Sequence, residues 1–214
     1  MTHSVFLMMQ KPCWLSRYFR SCAFAGMLLL MCLFISGCSR PVTFRVVDVR
    51  TGKPVEGAVA LATWGGSRGL PGLTYRYTAK ALEAVSDKDG YFTIPGQLGR
   101  TAFNPPLLQV YKPGYVGWNS RWIFIPWDKN GKKAHTARTK KRENFFWERQ
   151  IIYLHPWKDD AEYNHYTHWS FVSPGGDTYR GGIKESKYRK VIDYDGDLGT
   201  QENNKWYYER KQHE

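Results

Sequence analysis

Short apolar stretches that alternate with polar residues, each closed by Gly or Pro, most narrow the folds open to this chain. In "PVTFRVVDV" the residues Val42, Phe44, Val46 with Val47, and Val49 are β-branched or aromatic and mostly alternate, which predicts a strand. "RTGKPVEG" is turn chemistry, because Gly52 can take a positive φ and Pro54 fixes its own. Ala58 to Trp64 reads as the returning strand, and "GGSRGLPGLTYRY" reads as a Gly- and Pro-punctuated loop. Ala79 to Ser86 predicts a third strand, "SDKDG" a turn and "YFTIPG" a fourth strand. "PPLLQVYKPGYVGW", "RWIFIP" and "ERQIIYLHPW" supply three more. Seven short strands with regular turn signals predict an all-β sandwich.

Three of these segments occur in a particular order and spacing: "VVDVRTGKPVEGA", "AVSDKDGYFTIPG" and "LLQVYKPGYVG". Together they resemble the carboxypeptidase regulatory-like domain, over roughly residues 42 to 118 with a last strand at about 148 to 155. The resemblance implies a seven-stranded transthyretin-like or Ig-like β-sandwich. In it Asp87, Asp89 and Gly90 turn the chain into Tyr91 and Phe92, and Gly114 lets it reverse before Tyr115. It implies little about function, since such folds host many roles.

From Lys158 the pattern changes. "WKDDAEYNHYTHWSF" has helical character, with Ala161, Tyr166 and Trp169 as inward positions. "IKESKYRKVIDY" predicts a second short helix with Ile183, Tyr188, Val191 and Ile192 on its apolar side, and the last twenty residues read as loosely held. The expected organisation is a β-sandwich over 42–157 and a small, partly helical C-terminal extension over 158–214.

The N-terminal segment predicts an address. Lys11, Arg17 and Arg20 precede a run from Ala23 to Gly37 that is wholly apolar or small. Those fifteen residues fall short of the roughly 18 to 20 that span a bilayer. A basic n-region, a short apolar core and small residues before a cut site make a secretory signal over 1–37. Ile35-Ser36-Gly37-Cys38 resembles the lipobox of bacterial lipoproteins. That resemblance implies lipidation of Cys38, a linker over 38–41 and anchorage to a membrane through the N-terminal lipid. Ser39 in the next position resembles an outer-membrane address.

Cysteines stand only at 13, 22, 32 and 38, so the processed chain is expected to hold no disulfide and to rely on packing. Three of the twelve excess positive charges leave with the signal, and the remaining +9 suits anionic lipid or acidic glycan as partner. Nucleic acid is a poor partner in that compartment.

Several constellations can be weighed from spacing. Asp87 and Asp89 read as turn formers rather than calcium ligands. "DYDGDLGTQENN" places Asp193, Asp195 and Asp197 as in an EF-hand loop, but Leu198 replaces the loop glycine and Asn204 its last glutamate, so a solvated acidic turn is expected. His165 and His168 sit three apart on one helix face, with His155 nearby, but zinc would need further carboxylates such as Asp159, Asp160 or Glu162. Surface or partly packed histidines are the simpler expectation. No GxSxG, HExxH or P-loop occurs, so no catalytic residue, metal or cofactor is expected.

The most unusual segment is the loop expected over 127–145, which carries Lys129, Lys132, Lys133, Arg138, Lys140, Lys141 and Arg142. It reads either as a solvated hairpin tip or as a contact for an anionic ligand. Trp118, Trp157, Trp169, Trp206 and Tyr207 read either as packing or as an exposed platform. The function expected is a non-enzymatic, lipid-anchored envelope module that binds or scaffolds. Its rivals are a glycan or lipopolysaccharide binder and a metal-dependent enzyme built on the C-terminal His and Asp residues.

Overall fold

The computed structural model describes residues 41–96, 105–127, 133–143, 150–158, 163–174 and 186–211. Cys38, the signal segment, Lys129 and Lys132 lie outside them, as do the side chains of Lys133, Trp206 and Tyr207. The described chain is rich in strand and ends in two helices. The strands are β1 (Val42–Asp48), β2 (Val59–Leu70), β3 (Leu73–Val85), β4 (Tyr91–Ile94), β5 (Leu107–Tyr111), β6 (Tyr115–Val116), β7 (Trp118–Asn119), β8 (Trp122–Trp127), β9 (Lys133–Lys141) and β10 (Ile151–Pro156). The helices are α1 (His165–Val172) and α2 (Lys187–Lys211).

The described strands number ten rather than seven. One sheet has the order β4-β1-β10-β6, a second the order β3-β2-β5-β7, and β8 pairs with β9 alone. All pairings are antiparallel except β1 with β10, which run parallel.

Alternation decides which side chains go where. Phe44 and Val46 of β1, Phe92 and Ile94 of β4, and Ile152 and Leu154 of β10 join one buried cluster. Ala60, Ala62 and Trp64 of β2, Leu108 and Val110 of β5, and Trp118 of β7 join the same cluster. The two four-stranded sheets therefore share an apolar layer. The intervening residues of the second sheet, Val59, Leu61 and Tyr111, turn the other way and form a second cluster with Phe171, Val172, Tyr188 and Ile192 of the helices. The helical segment thus covers the outer face of that sheet.

Turn chemistry sets the connections. Asp48 Oδ1 accepts from the N–H groups of Arg50 (2.8 Å) and Thr51 (3.0 Å), and Gly52 follows at φ 66°. Asp87 Oδ1 accepts from Asp89 N (3.0 Å) and Tyr91 N (2.8 Å), with Gly90 at φ 79°.

Four segments depart from the sequence expectation. The Gly-rich stretch after Trp64 is not a loop: β2 and β3 run on through it as a two-stranded ribbon closed by Pro71 and Gly72. Its glycines are tolerated because every residue from Gly65 to Leu70 has a cross-strand partner. The basic segment is likewise not a long loop, since residues 133–141 form β9 against β8. Pro126 has no N–H to give to that ladder, and the register shifts between Ile125 and Trp127.

The second helix is not short. It runs 25 residues, so the acidic stretch around Asp195 lies inside a helix, and neither a calcium loop nor an acidic turn forms. The chain also stays helical to Lys211 instead of ending loosely. In α1 the inward residues are His165, Thr167, His168, Phe171 and Val172, whereas Tyr166 is exposed.

Candidate functional site

Two arrangements stand out, one buried and one open. The buried one joins the helices. Asn164 caps α1, its side-chain oxygen accepting from Thr167 N at 3.1 Å. The cap fixes the helix phase so that His165 and His168 point at α2. His165 Nδ1 lies 2.8 Å from Asp195 Oδ1, and His168 Nδ1 lies 2.6 Å from Asp195 Oδ2. Gly117 N–H donates to His168 Nε2 at 2.8 Å. With Nε2 accepting, the network assigns the ring proton to Nδ1, and a neutral His168 satisfies both partners.

Burial favours a neutral Asp195, but the hydrogen bonds from His165 and His168 outweigh it and hold the carboxyl below its usual range. Tyr111 abuts the same group: burial first, then the Asp195 charge, pushes its hydroxyl well above the ordinary tyrosine value. Rings close the remaining sides. Trp157 stacks on His165 at 4.2 Å, and Phe124 meets His168 edge-on at 5.2 Å.

His165 and His168 are therefore neither surface residues nor partly packed ones, and His168 is fully buried, whereas His155 is exposed on β10 as expected of a surface histidine. Both nitrogens of His168 are spent on protein partners, which leaves that ring no position for a metal or a reacting proton. Among the described residues no group of three or more His, Cys, Asp or Glu could hold a metal ion, and Asp159, Asp160 and Glu162, named as further zinc partners, lie outside them.

Glycines make the junction possible. A side chain at Gly117 would collide with Val172. A Cβ at Gly199 would lie 2.7 Å from Tyr166 N, so the two helices touch backbone to backbone there. Glu202 Oε2 accepts from His165 N at 2.9 Å, which adds a carboxylate to the N-terminus of α1. Glu83 of β3 does the same for α2, accepting from Ser186 Oγ, Lys187 N (2.8 Å) and Tyr188 N (3.3 Å).

The open arrangement is a groove of about 610 Å³ between β10 and the β8–β9 hairpin. Trp118, Trp127, Tyr153 and Tyr163 line it with Ile123, and Arg142 stands in its wall. Trp127, Ile123 and Tyr153 are each 39% exposed or more. Arg142 is held rather than free-swinging: its Nε donates to Asn119 O at 2.9 Å and its guanidinium lies 4.8 Å from the centre of the Trp118 ring. Burial lowers its pKa from the ordinary arginine value, and desolvation also strengthens its attraction for an anion.

Of the seven basic residues singled out by sequence, the structure places Arg142 in the groove, while Lys140 and Lys141 are exposed on β9. Arg138 Nη1 donates to Trp127 O at 2.8 Å and so braces the hairpin. Of the two readings of the aromatic residues, packing holds for Trp118 and Trp157. Trp118 is buried, and Trp157 packs against His165 and Tyr163. Trp122, Trp127 and Tyr153 are exposed on β8 and β10, and Tyr75, Tyr91, Tyr166, Tyr194 and Tyr208 are exposed elsewhere. Spacing singled out Asp195 only as a calcium-loop position; its pairing with the histidines, like the groove tyrosines, carried no local signal, because the partners come from distant elements.

No helix among the described residues is long and apolar enough to cross a membrane. No family model matches the chain, and no curated protein matches it. Among solved structures, a 9R-lipoxygenase from Cyanothece PCC8801 aligns at 16% identity with a TM-score of 0.23. The alignment covers 49% of this chain and 13% of that one, and a likeness so slight carries no argument about fold or activity.

Proposed function

We propose that this protein is a non-enzymatic cell-envelope module, lipid-anchored through Cys38 to a bacterial outer membrane, that binds its ligand in the groove between β10 and the β8–β9 hairpin. In this reading the two four-stranded sheets are the layers of a transthyretin-like sandwich of the carboxypeptidase regulatory-like kind. The shared apolar layer supports that reading, as does the position of the three resembling segments on β1, on the turn into β4 and on β5–β6.

The observation that carries the function is the groove itself. It joins exposed rings to one desolvated guanidinium. Flat aromatic faces suit the apolar faces of sugar rings, and a half-buried arginine suits one carboxylate or phosphate. Lys140 and Lys141 on the neighbouring strand extend the positive field. An acidic glycan offers both features. The non-enzymatic reading is supported by the histidine pair, whose hydrogen bonds are spent on joining helices.

The test is titration of the protein with polygalacturonate, with neutral dextran as control. The expected result is binding that weakens with salt and falls about tenfold or more in Arg142→Gln. Equal binding of dextran, or an unchanged Arg142→Gln, removes the glycan reading. Anchorage is tested separately. Cys38→Ala should change the electrophoretic mobility of the processed chain, and unchanged mobility with full retention in the membrane pellet removes the lipid.

A further inference from the structure

The β2–β3 ribbon carries an exposed apolar tip that neither the groove nor the helix junction uses. Pairing of β2 with β5 ends at Thr63, whereas β2 continues seven residues to Leu70 against β3 alone. The register shifts between Trp64 and Gly65 where the ribbon leaves the sheet, and at about 3.3 Å per residue the ribbon beyond that point is some 20 Å long. Its two-residue turn is Pro71-Gly72, with Gly72 at φ 88°. Leu70 and Leu73 flank that turn and are 72% and 79% exposed.

Register orders one face of the ribbon. Leu70 opposes Leu73, Arg68 opposes Tyr75, and Gly66 opposes Tyr77. Cross-strand partners share a face, and so do residues two apart. This face therefore presents two leucines at the tip, an arginine and a tyrosine behind them, and a second tyrosine further back. Arg68 lies 5.2 Å from the centre of the Tyr77 ring, and the Tyr77 ring covers Gly66. Arg76, on the other face, is also exposed. Leucine, then aromatic and arginine, is the depth order of a bilayer: hydrocarbon, interface, anionic headgroups.

The topology aims the tip. The Asp87–Gly90 turn carries β3 directly into β4, so β4 runs opposite to β3. β1 is antiparallel to β4, with Val42 paired to Ile94, and so runs with β3. Face-to-face sheets keep their strands within about 30° of one another. Val42 and Leu73 therefore begin their strands at the same end of the molecule. Cys38 stands four residues before Val42, a reach of up to about 14 Å, comparable to the length of the ribbon.

We propose that the β2–β3 ribbon is a second membrane contact, which inserts Leu70 and Leu73 among the acyl chains of an anionic lipid surface with Arg68 and Arg76 at the headgroups. The placement rests on attachment of the N-terminal segment to the same membrane. Two contacts at one end would fix the orientation of the domain, which a single flexible anchor cannot do.

The experiment uses the full chain with Cys13, Cys22 and Cys32 replaced by Ser and Leu73→Cys labelled with an environment-sensitive fluorophore. The protein is reconstituted in vesicles of phosphatidylethanolamine and phosphatidylglycerol that contain doxyl-labelled lipid. Thr51→Cys, in the turn after β1 at the opposite end, is the reference. The background without an added cysteine reports any label on Cys38, so a failure of lipidation appears there and not in the ribbon signal.

Insertion predicts a blue-shifted emission at position 73, quenched several-fold more than at 51. The difference should shrink in Leu70→Asp, and in Arg68→Gln with Arg76→Gln when phosphatidylglycerol is present. Equal quenching at 73 and 51 overturns the proposal. So does protection of position 73 only in native membranes without lipid quenching, which would assign the tip to a protein partner. Concentration-dependent protection without lipid would assign it to a second copy of the chain and also overturns it.

Discussion

His168 and Asp195 sit on different helices and meet at 2.6 Å, with both side chains removed from water. The carboxylate also holds His165, and His168 passes the connection on to Gly117 in the β6–β7 link. One acid thus ties α2 to α1 and, through α1, to the second sheet. Because each polar atom has a partner, the cluster can be buried without the penalty of orphaned groups.

Removing the acid should therefore unfasten the helices. Asp195→Ala leaves two buried ring nitrogens without their acceptor and should lower unfolding free energy by about 3 kcal/mol. Asp195→Asn keeps the shape and one acceptor, and should cost less. Urea unfolding followed by fluorescence measures both. An alanine variant as stable as the parent would mean that the helices are held by Phe171, Val172, Tyr188 and Ile192 alone.

The same group sets an acid limit. The Asp195 carboxyl is held below its usual value in the folded state. Its stabilising contribution is therefore complete above the ordinary aspartate range, near pH 4, and is lost as the pH falls through the lower folded value. Asp48, lowered first by the Thr51 N–H it accepts, adds in the same direction. Stability measured from pH 6 down to pH 2.5 should fall on the acid side, and Asp195→Asn should flatten that limb. A limb of unchanged slope in the variant would assign acid sensitivity to other carboxylates.

Much of the sheet structure was legible in the sequence, and the parts that were not have physical reasons. β4 and β10 alternate cleanly, and β1 mostly, because one face of each fills the apolar layer that the two sheets share, whereas β5 is buried on both faces and was readable as a short apolar run. β9 escaped notice because "KAHTARTKK" has polar residues on both faces, and its pairing with β8 decides its conformation. The ribbon looked like a loop because its glycines and Pro71 mark turns, while cross-strand pairing is invisible in a single segment. "DYDGDLG" looked like a turn for the same reason. The His165–His168 spacing was readable as one helix face, but Asp195 arrives from 27 residues beyond His168, on a second helix. The groove was only half legible: its basic residues were in view, but the placement of Arg142 against Trp118 depends on tertiary contacts.

The glycines inside α2 give a prediction with a reversed sign. In an exposed helix, Gly→Ala commonly gains about 1 kcal/mol. At Gly199 the new Cβ would lie 2.7 Å from Tyr166 N and 2.8 Å from Tyr166 Cα, both backbone atoms of α1 that cannot swing aside. Gly199→Ala should therefore destabilise, by about 1 to 3 kcal/mol. Gly196→Ala meets only the half-buried Trp169 ring, at 3.0 Å, a side chain and not backbone, and should cost less than Gly199→Ala. Thermal unfolding of the two variants side by side separates close helix contact from intrinsic propensity. A gain in Gly199→Ala would show that α1 and α2 do not touch there.

Glu83 provides the last prediction, because it fastens α2 from a strand. Its carboxylate accepts from the Ser186 hydroxyl and from two backbone N–H groups at the start of the helix, while Ser186 Oγ accepts from Arg189 N at 2.9 Å. A carboxylate and a capping hydroxyl together satisfy donors that the first helical turn would otherwise leave to water. The negative charge also complements the positive end of the helix. Glu83→Ala should cost about 1 to 2 kcal/mol, and Glu83→Gln, which keeps an acceptor but loses the charge, about half as much. Amide exchange distinguishes this from a general loss of stability: protection should fall first at Lys187, Tyr188 and Arg189. Uniform loss across the strands would place the effect in the sheet instead of the helix start.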